Sequence, residues 1–221
     1  MNEDLHDAVD ALMPSLRHDL EALVRIPSVS AAGYDPAGVR ASADFTAGLL
    51  TAVGFADVRL LEIDGAHPAV FAELPAPAGA PTVLLYAHHD VQPPGPATDW
   101  DTDAFEPFER DGRLYGRGTS DDKAGIIVHT GAVRAHNGKP PVGVKVLVEG
   151  EEEIGSAHLG QFLATYQRLV EALSAQHHDA DTLLPLVKRL CQDIGFGYKI
   201  VVNQLVNQRG GFMESRSLPL A

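Results

Sequence analysis

The stretch "LLYAHHDVQPPG", Leu84 to Gly95, decides how this chain folds. Val83, Leu84, Leu85 and Tyr86 form an apolar run that seeks burial. His88, His89 and Asp90 follow at once, side chains that bind metals or move protons. Pro93, Pro94 and Pro96 then stop any regular structure from continuing. A buried strand that ends in such a cluster is where an α/β protein builds a site, because ligands gather outside the carboxyl ends of its strands.

Upstream of that strand, Leu5, Val9, Leu12, Met13, Leu16, Leu20 and Val24 recur at three- and four-residue steps. They predict a helix over 4–25, with a break or late start at Pro14. A second helix is predicted over 39–53, closed by Gly54, and strands over 58–63, 69–74 and 82–87. Downstream, "FERDGRLYGRG" reads as a hairpin turning at Asp111-Gly112. A helix capped by Ser120 or Asp121 runs to about residue 136 and stops before Gly138, Pro140 and Pro141. Val144, Val146 and Val148 mark a strand over 143–149, and a further helix is expected over about 155–175. Residues 182–191 suit a short helix, and 198–206 a strand or helix. Strands alternating with helices predict an α/β fold, with a mainly parallel sheet and helices on both faces.

Composition bounds the function. Of 221 residues, 45% are hydrophobic, enough for a sizeable core. The net charge of -13 argues against nucleic acid or an anionic membrane as partner, since phosphates would be repelled. Cys191 is the only cysteine, which excludes an internal disulfide and a cysteine-based zinc site. The start, "MNEDLHDAVD", is acidic and lacks the apolar core of a secretory signal, so a cytoplasmic location is expected.

Three clusters carry chemistry, each at the end of a predicted element. In extended backbone His88 and Asp90 share a face, and an imidazole backed by a carboxylate is a metal ligand with its orienting partner. The plain alternative is a polar surface turn. "GRGTSDDKAG", 116–125, puts Asp121 and Asp122 at a helix start, as helix caps or as ligands. It lacks the Gly-Lys-Ser/Thr ending of a phosphate loop. "VEGEEEIGS", 148–156, crowds carboxylates after an apolar strand. It is either a solvated charge run or a group that a cation would hold together, with one Glu pushed towards general-base duty. No calcium-loop spacing of Asp, Asn and Gly accompanies it. Together the clusters can converge on one sheet edge and suit a two-zinc site.

"YAHHDVQPPG", "FEPFERDGRLYGRGTSDDKAG" and "VEGEEEIGS", in this order and spacing, resemble the M20 metallopeptidases, in particular the carnosinase-like dipeptidase branch. The likeness covers about 5–166. It implies a zinc-exopeptidase-like α/β catalytic domain and hydrolysis of small peptides with two zinc ions, cobalt and manganese sharing such ligand sets. It implies His88 as ligand of one zinc, Asp121 as the bridge joined to Asp122 by a cis peptide, and Glu153 as ligand of the other zinc. Glu152 is implied as the general base and Asp90 as the residue orienting His88. The expected partners are a small peptide substrate and a second copy of the chain. His89 and His129 are expected as wall, Trp100 and Phe105 as packing, and Arg117 as a loop holder.

The pattern also departs from the family. Residues 1–166 read as part of a catalytic domain and 167–221 as a divergent tail, with no recognisable lid or dimerisation domain. Two late ligands, one acidic and one histidine, have no matching position. Asp179 or Asp181, or else His177 or His178, are the substitutes in "SAQHHDADTL", against the plainer reading of a polar loop. The alternative function is therefore a truncated, catalytically inactive remnant that acts through association.

Overall fold

The computed structural model describes residues 3–166. Helix α1 (Glu3–Val24) carries the apolar stripe of the sequence, with Leu16, Leu20, Leu23 and Val24 buried. It runs unbroken through Pro14, where a break was expected. That residue lies on the exposed face, so the ring meets solvent and the buried stripe holds the helix on both sides of it. Helix α2 (Pro36–Val53) is capped by Asp35, whose carboxylate accepts from Ala37 N at 2.9 Å. Gly54 ends it in the left-handed conformation (φ 110°) that a side chain would disfavour.

Strands β1 (Asp57–Leu61), β2 (Ala69–Leu74) and β3 (Thr82–His88) follow. A small hairpin, β4 (Phe108–Arg110) and β5 (Arg113–Tyr115), turns at Asp111 and Gly112, both at positive φ. Helix α3 (Lys123–Ala135), strand β6 (Gly143–Glu149) and helix α4 (Leu159–Thr165) complete the described elements. The expectations for 182–191 and 198–206, and the end of the helix expected to about 175, lie outside the described residues.

The main sheet has the order β1-β2-β6-β3. The α/β class holds, but the sheet is mixed rather than mainly parallel. β1 pairs β2, and β2 pairs β6, antiparallel; β3 pairs β6 in parallel. The reason is local. The short link between β1 and β2 forces a reversal, whereas helix α3 provides the crossover that a parallel β3–β6 pair requires.

Side chains alternate across the sheet. Val70, Ala72, Leu74, Val144, Val146 and Val148 pack under α1, α2 and α3. Phe71 and Leu147 point to the other face, where Phe162 of α4 covers them. Helices therefore lie on both faces. The parallel register sets His88 beside Glu149, so both strands end together at one rim. Among the described residues no helix is long and apolar enough to cross a membrane.

Candidate metal centre

The rim is built from three segments. β3 delivers His88, the turn before α3 delivers Asp121 and Asp122, and the 3-10 turn after β6 (Glu152–Ile154) delivers Glu152 and Glu153. Donor atoms of His88, Asp121 and Glu153 all lie within 4.8 Å of one another. His88 Nε2 is 3.1 Å from Asp121 Oδ1 and 3.8 Å from Glu152 Oε2. The Asp121-Asp122 peptide is cis. Asp122, rather than Ser120 or Asp121, stands at the N-cap position of α3, with no side-chain cap hydrogen bond; its Oδ2 accepts from the His88 backbone N–H at 3.3 Å.

Asp90 lies beneath this cluster, fully buried. Its Oδ1 accepts from Glu152 N (3.2 Å) and lies 3.4 Å from His88 Nδ1. Its Oδ2 accepts from Ser30 Oγ (2.6 Å) and Glu153 N (3.1 Å). His88 Nδ1 also faces the Asp90 carbonyl at 3.1 Å, which suits an N–H there and turns Nε2 towards Asp121. One carboxylate thus fixes the imidazole and the turn that carries both glutamates.

Electrostatics follow from this crowding. Burial opposes a charge on His88, but the hydrogen bond to Asp90 and the fields of Asp122 and Glu152 outweigh it, lifting the imidazole to about 10. Burial lifts Asp122 to about 7 against the pull of His88. Burial also raises Glu153 and Glu149. Asp90 stays below the usual carboxylate range: burial opposes this, but donation from His88 and Ser30 prevails. The negative field that retains a proton on His88 is the field that would retain a cation. One imidazole nitrogen with carboxylate oxygens is a donor set that fits zinc, manganese or cobalt.

The residues expected as wall and loop holders do that work. His89 is buried, with Nε2 on Pro68 O at 2.9 Å, and burial takes its ring down to about 4. His129 Nε2 meets Tyr86 O at 2.9 Å. Trp100 Nε1 donates to Pro94 O (2.8 Å), and Arg117 donates to Pro93 O (3.2 Å) while its guanidinium sits 5.6 Å from the Trp100 ring. Asp179 and Asp181 lie outside the described residues, as do His177 and His178.

Several residues in and around the quoted clusters have contacts to which the sequence reading assigned no role. Gln92 Nε2 donates to both Glu153 O (2.9 Å) and Glu153 Oε2 (2.8 Å). Glu151 turns inward, accepting from His67 N (2.9 Å) and pairing with His158 Nδ1 (2.8 Å). Glu149 accepts from Tyr86 Oη and from Ser156 Oγ (2.9 Å). Lys123, wholly buried, donates to Leu23 O (2.9 Å) and Ile26 O (2.7 Å), tying α3 to the end of α1; burial lowers its ammonium to about 7. Tyr86, Gln92, Lys123, Glu149, Glu151 and Ser156 all lie inside the quoted clusters, whereas His67 and His158 lie outside them.

An α/β layer with imidazole and carboxylates gathered at the carboxyl ends of a parallel pair defines a class: α/β proteins with a candidate divalent-metal centre. Comparison with known proteins narrows it. The sequence profile of "Peptidase family M20/M25/M40" matches residues 84–196, just over half of the chain. The chain belongs to this family of metal-dependent peptidases. The Cys-Gly metallodipeptidase DUG1 of Candida albicans is 33% identical over 178 residues, 73% of this chain and 37% of that protein. The Beta-Ala-His dipeptidase of Mus musculus is 40% identical over 99 residues, 43% of this chain and 20% of that one. Among solved structures, human carnosine dipeptidase 1 superposes with a TM-score of 0.67 at 29% identity, covering 74% of this chain and 37% of that chain. The dipeptidase Dug1p of Saccharomyces cerevisiae gives 0.67 at 26%, covering 73% and 37%. The chain thus spans well under half the length of these relatives.

Proposed function

We propose that residues 1–166 form part of the catalytic domain of a metal-dependent hydrolase that cleaves small peptides, dipeptides in particular. The family match continues to residue 196, across the point where the sequence places a divergent tail, 167–221. The observation that carries the reading is the convergence of His88, Asp121 and Glu153 donor atoms within 4.8 Å, with Glu152 beside them. His88, Asp121 and Glu153 would hold the metal, with Asp121 the residue shared if two zinc ions bind. The metal, when bound, supplies Lewis-acid polarisation of the scissile carbonyl and a more acidic water.

The chain's own residues do the rest. Asp90 holds the imidazole of His88 so that Nε2 faces the ligand cluster. Glu152 has a side chain 46% exposed on a turn whose backbone is anchored to Asp90, so its carboxylate reaches solvent while its position stays fixed. That suits a general base: Glu152 takes one proton from the attacking water as the new C–O bond forms. It returns that proton to the amine nitrogen as the C–N bond breaks.

The test is metal content and turnover of the full chain. Zinc should bind, and dipeptides of the kind the relatives' names state, Cys-Gly and β-Ala-His, should be hydrolysed. Glu152→Gln should keep the metal and lower kcat by about 10²–10⁴-fold. A chain that binds zinc and hydrolyses no dipeptide would leave the site standing and reject the activity.

A further inference from the structure

The loop after α1 reads in sequence as a plain connection, yet it reaches the centre of the site. Ser28 and Ser30 are both buried. Val29 forms a parallel bridge with Val91, and Val91 N donates to Ser28 O at 2.9 Å, so the loop runs alongside Asp90. The two serines then part company. Ser28 Oγ donates to the His89 main-chain carbonyl at 2.6 Å, a bond that touches no site side chain. Ser30 Oγ donates to Asp90 Oδ2 at 2.6 Å, a bond to the carboxylate that positions His88, Glu152 and Glu153.

Resting on the metal-site reading above, the geometry points to Ser30 as a positioning residue for the metal centre, acting through Asp90. A carboxylate can rotate about its last bond. His88 and Glu152 hold Oδ1, while Glu153 N and Ser30 Oγ hold Oδ2. Among the described residues Ser30 is the only hydroxyl on this carboxylate, and it comes from a segment that carries no ligand. It therefore fixes the carboxylate plane against the scaffold rather than against the groups being positioned. Without it, Asp90 is free to follow its own dependants, and the imidazole and the turn lose a common reference. Groups that bond a metal ligand directly typically change affinity by about 10–100-fold, and Ser30, one bond further out, is expected at the low end of that range.

The experiment compares Ser30→Ala, Ser30→Thr and Ser28→Ala in the full chain. Zinc affinity is measured by competition with a chromogenic chelator, and the visible spectrum is recorded with cobalt as the probe ion. Ser30→Ala should weaken zinc by about tenfold and shift the cobalt bands, and Ser30→Thr, which keeps the hydroxyl, should restore both. Ser28→Ala, equally buried but bonded only to backbone, should lower the melting point and leave zinc affinity and cobalt bands unchanged. If Ser30→Ala does not fold, Ser30→Cys, close in size with a weak donor, takes its place in the comparison. Equal losses in the Ser28 and Ser30 variants, or wild-type affinity in Ser30→Ala, would overturn the inference while leaving the metal site intact. Wild-type protein that takes up neither zinc nor cobalt would instead overturn the metal-site reading, and this inference with it.

Discussion

Asp90→Asn changes two atoms in charge and donor character while leaving shape almost untouched, so its effect can be worked from the hydrogen bonds. Every described partner of the carboxylate is a donor or can act as one: Ser30 Oγ, Glu152 N, Glu153 N and the His88 ring. An amide must aim its NH₂ at one side. If NH₂ replaces Oδ2, Ser30 can rotate and accept, but the Glu153 N–H loses its acceptor. If NH₂ replaces Oδ1, the Glu152 N–H is stranded, and His88 can adapt only by giving up its Nδ1 proton. Either way one buried backbone donor is left unsatisfied, costing about 1–3 kcal/mol, and the remaining bonds lose the added strength of a charged acceptor. Relief of the buried charge offsets part of this. A net loss of about 2–4 kcal/mol is expected, which at a typical slope of about 2 kcal/mol per M lowers the urea midpoint by about 1–2 M. The depressed Asp90 carboxyl adds a sign: its stabilisation is present above its ordinary value of 3.8 and is lost as pH falls through the lower, folded-state value. The gap between wild type and variant should therefore be widest near neutrality and close in strong acid. Urea unfolding of metal-free protein from neutral to acid pH measures both. Equal midpoints at pH 7, or a gap that does not change with pH, would refute the reasoning.

Three further outcomes are expected. Gly150→Ala would set a methyl 2.7 Å from Pro68 O and 2.8 Å from His89 Cε1, neither of which can yield easily. It should cost about 1–3 kcal/mol and, by moving the turn that carries Glu152 and Glu153, weaken zinc binding, both read from melting curves with and without metal. His129 is held neutral by burial, its ring taken from 6.5 to about 4, so the unfolded chain gains a proton that the fold refuses. Wild-type stability should therefore fall, as pH drops from 6.5 to 4, by up to ~3 kcal/mol more than that of His129→Gln, measured as the difference between their denaturation profiles. Arg17, by contrast, pairs with Glu21 and Glu109 on an exposed surface, and Arg17→Ala should change stability by less than about 1 kcal/mol in the same assay.

The elements were legible where local pattern decides them. The Ala69–Leu74 and Gly143–Glu149 strands stand at their expected bounds, because alternating apolar residues need two faces covered. The Asp111-Gly112 turn stands as well, because few residues accept positive φ in succession. The order of the sheet was not legible. Periodicity tells which face of a strand is buried but not which strand lies beside it, so the antiparallel pairing of β2 with β6 emerged only in three dimensions. In the same way the quoted clusters named His88, Asp121 and Glu153, whose donor atoms do converge. Asp90, which orients His88 and the glutamate turn, is held in its turn by Ser30, 60 positions away in the chain.

The sequence by itself determined the chemistry on offer, an imidazole and a surplus of carboxylates at element ends, and the elements that carry them. Residue type and local spacing are short-range properties that any stretch of chain displays. Tertiary structure alone decided that Asp90 would be saturated with donors and that Glu151 would turn inward while Glu152 faced solvent. Such choices depend on which remote groups arrive at the same place, and a buried carboxylate persists only where enough donors meet it.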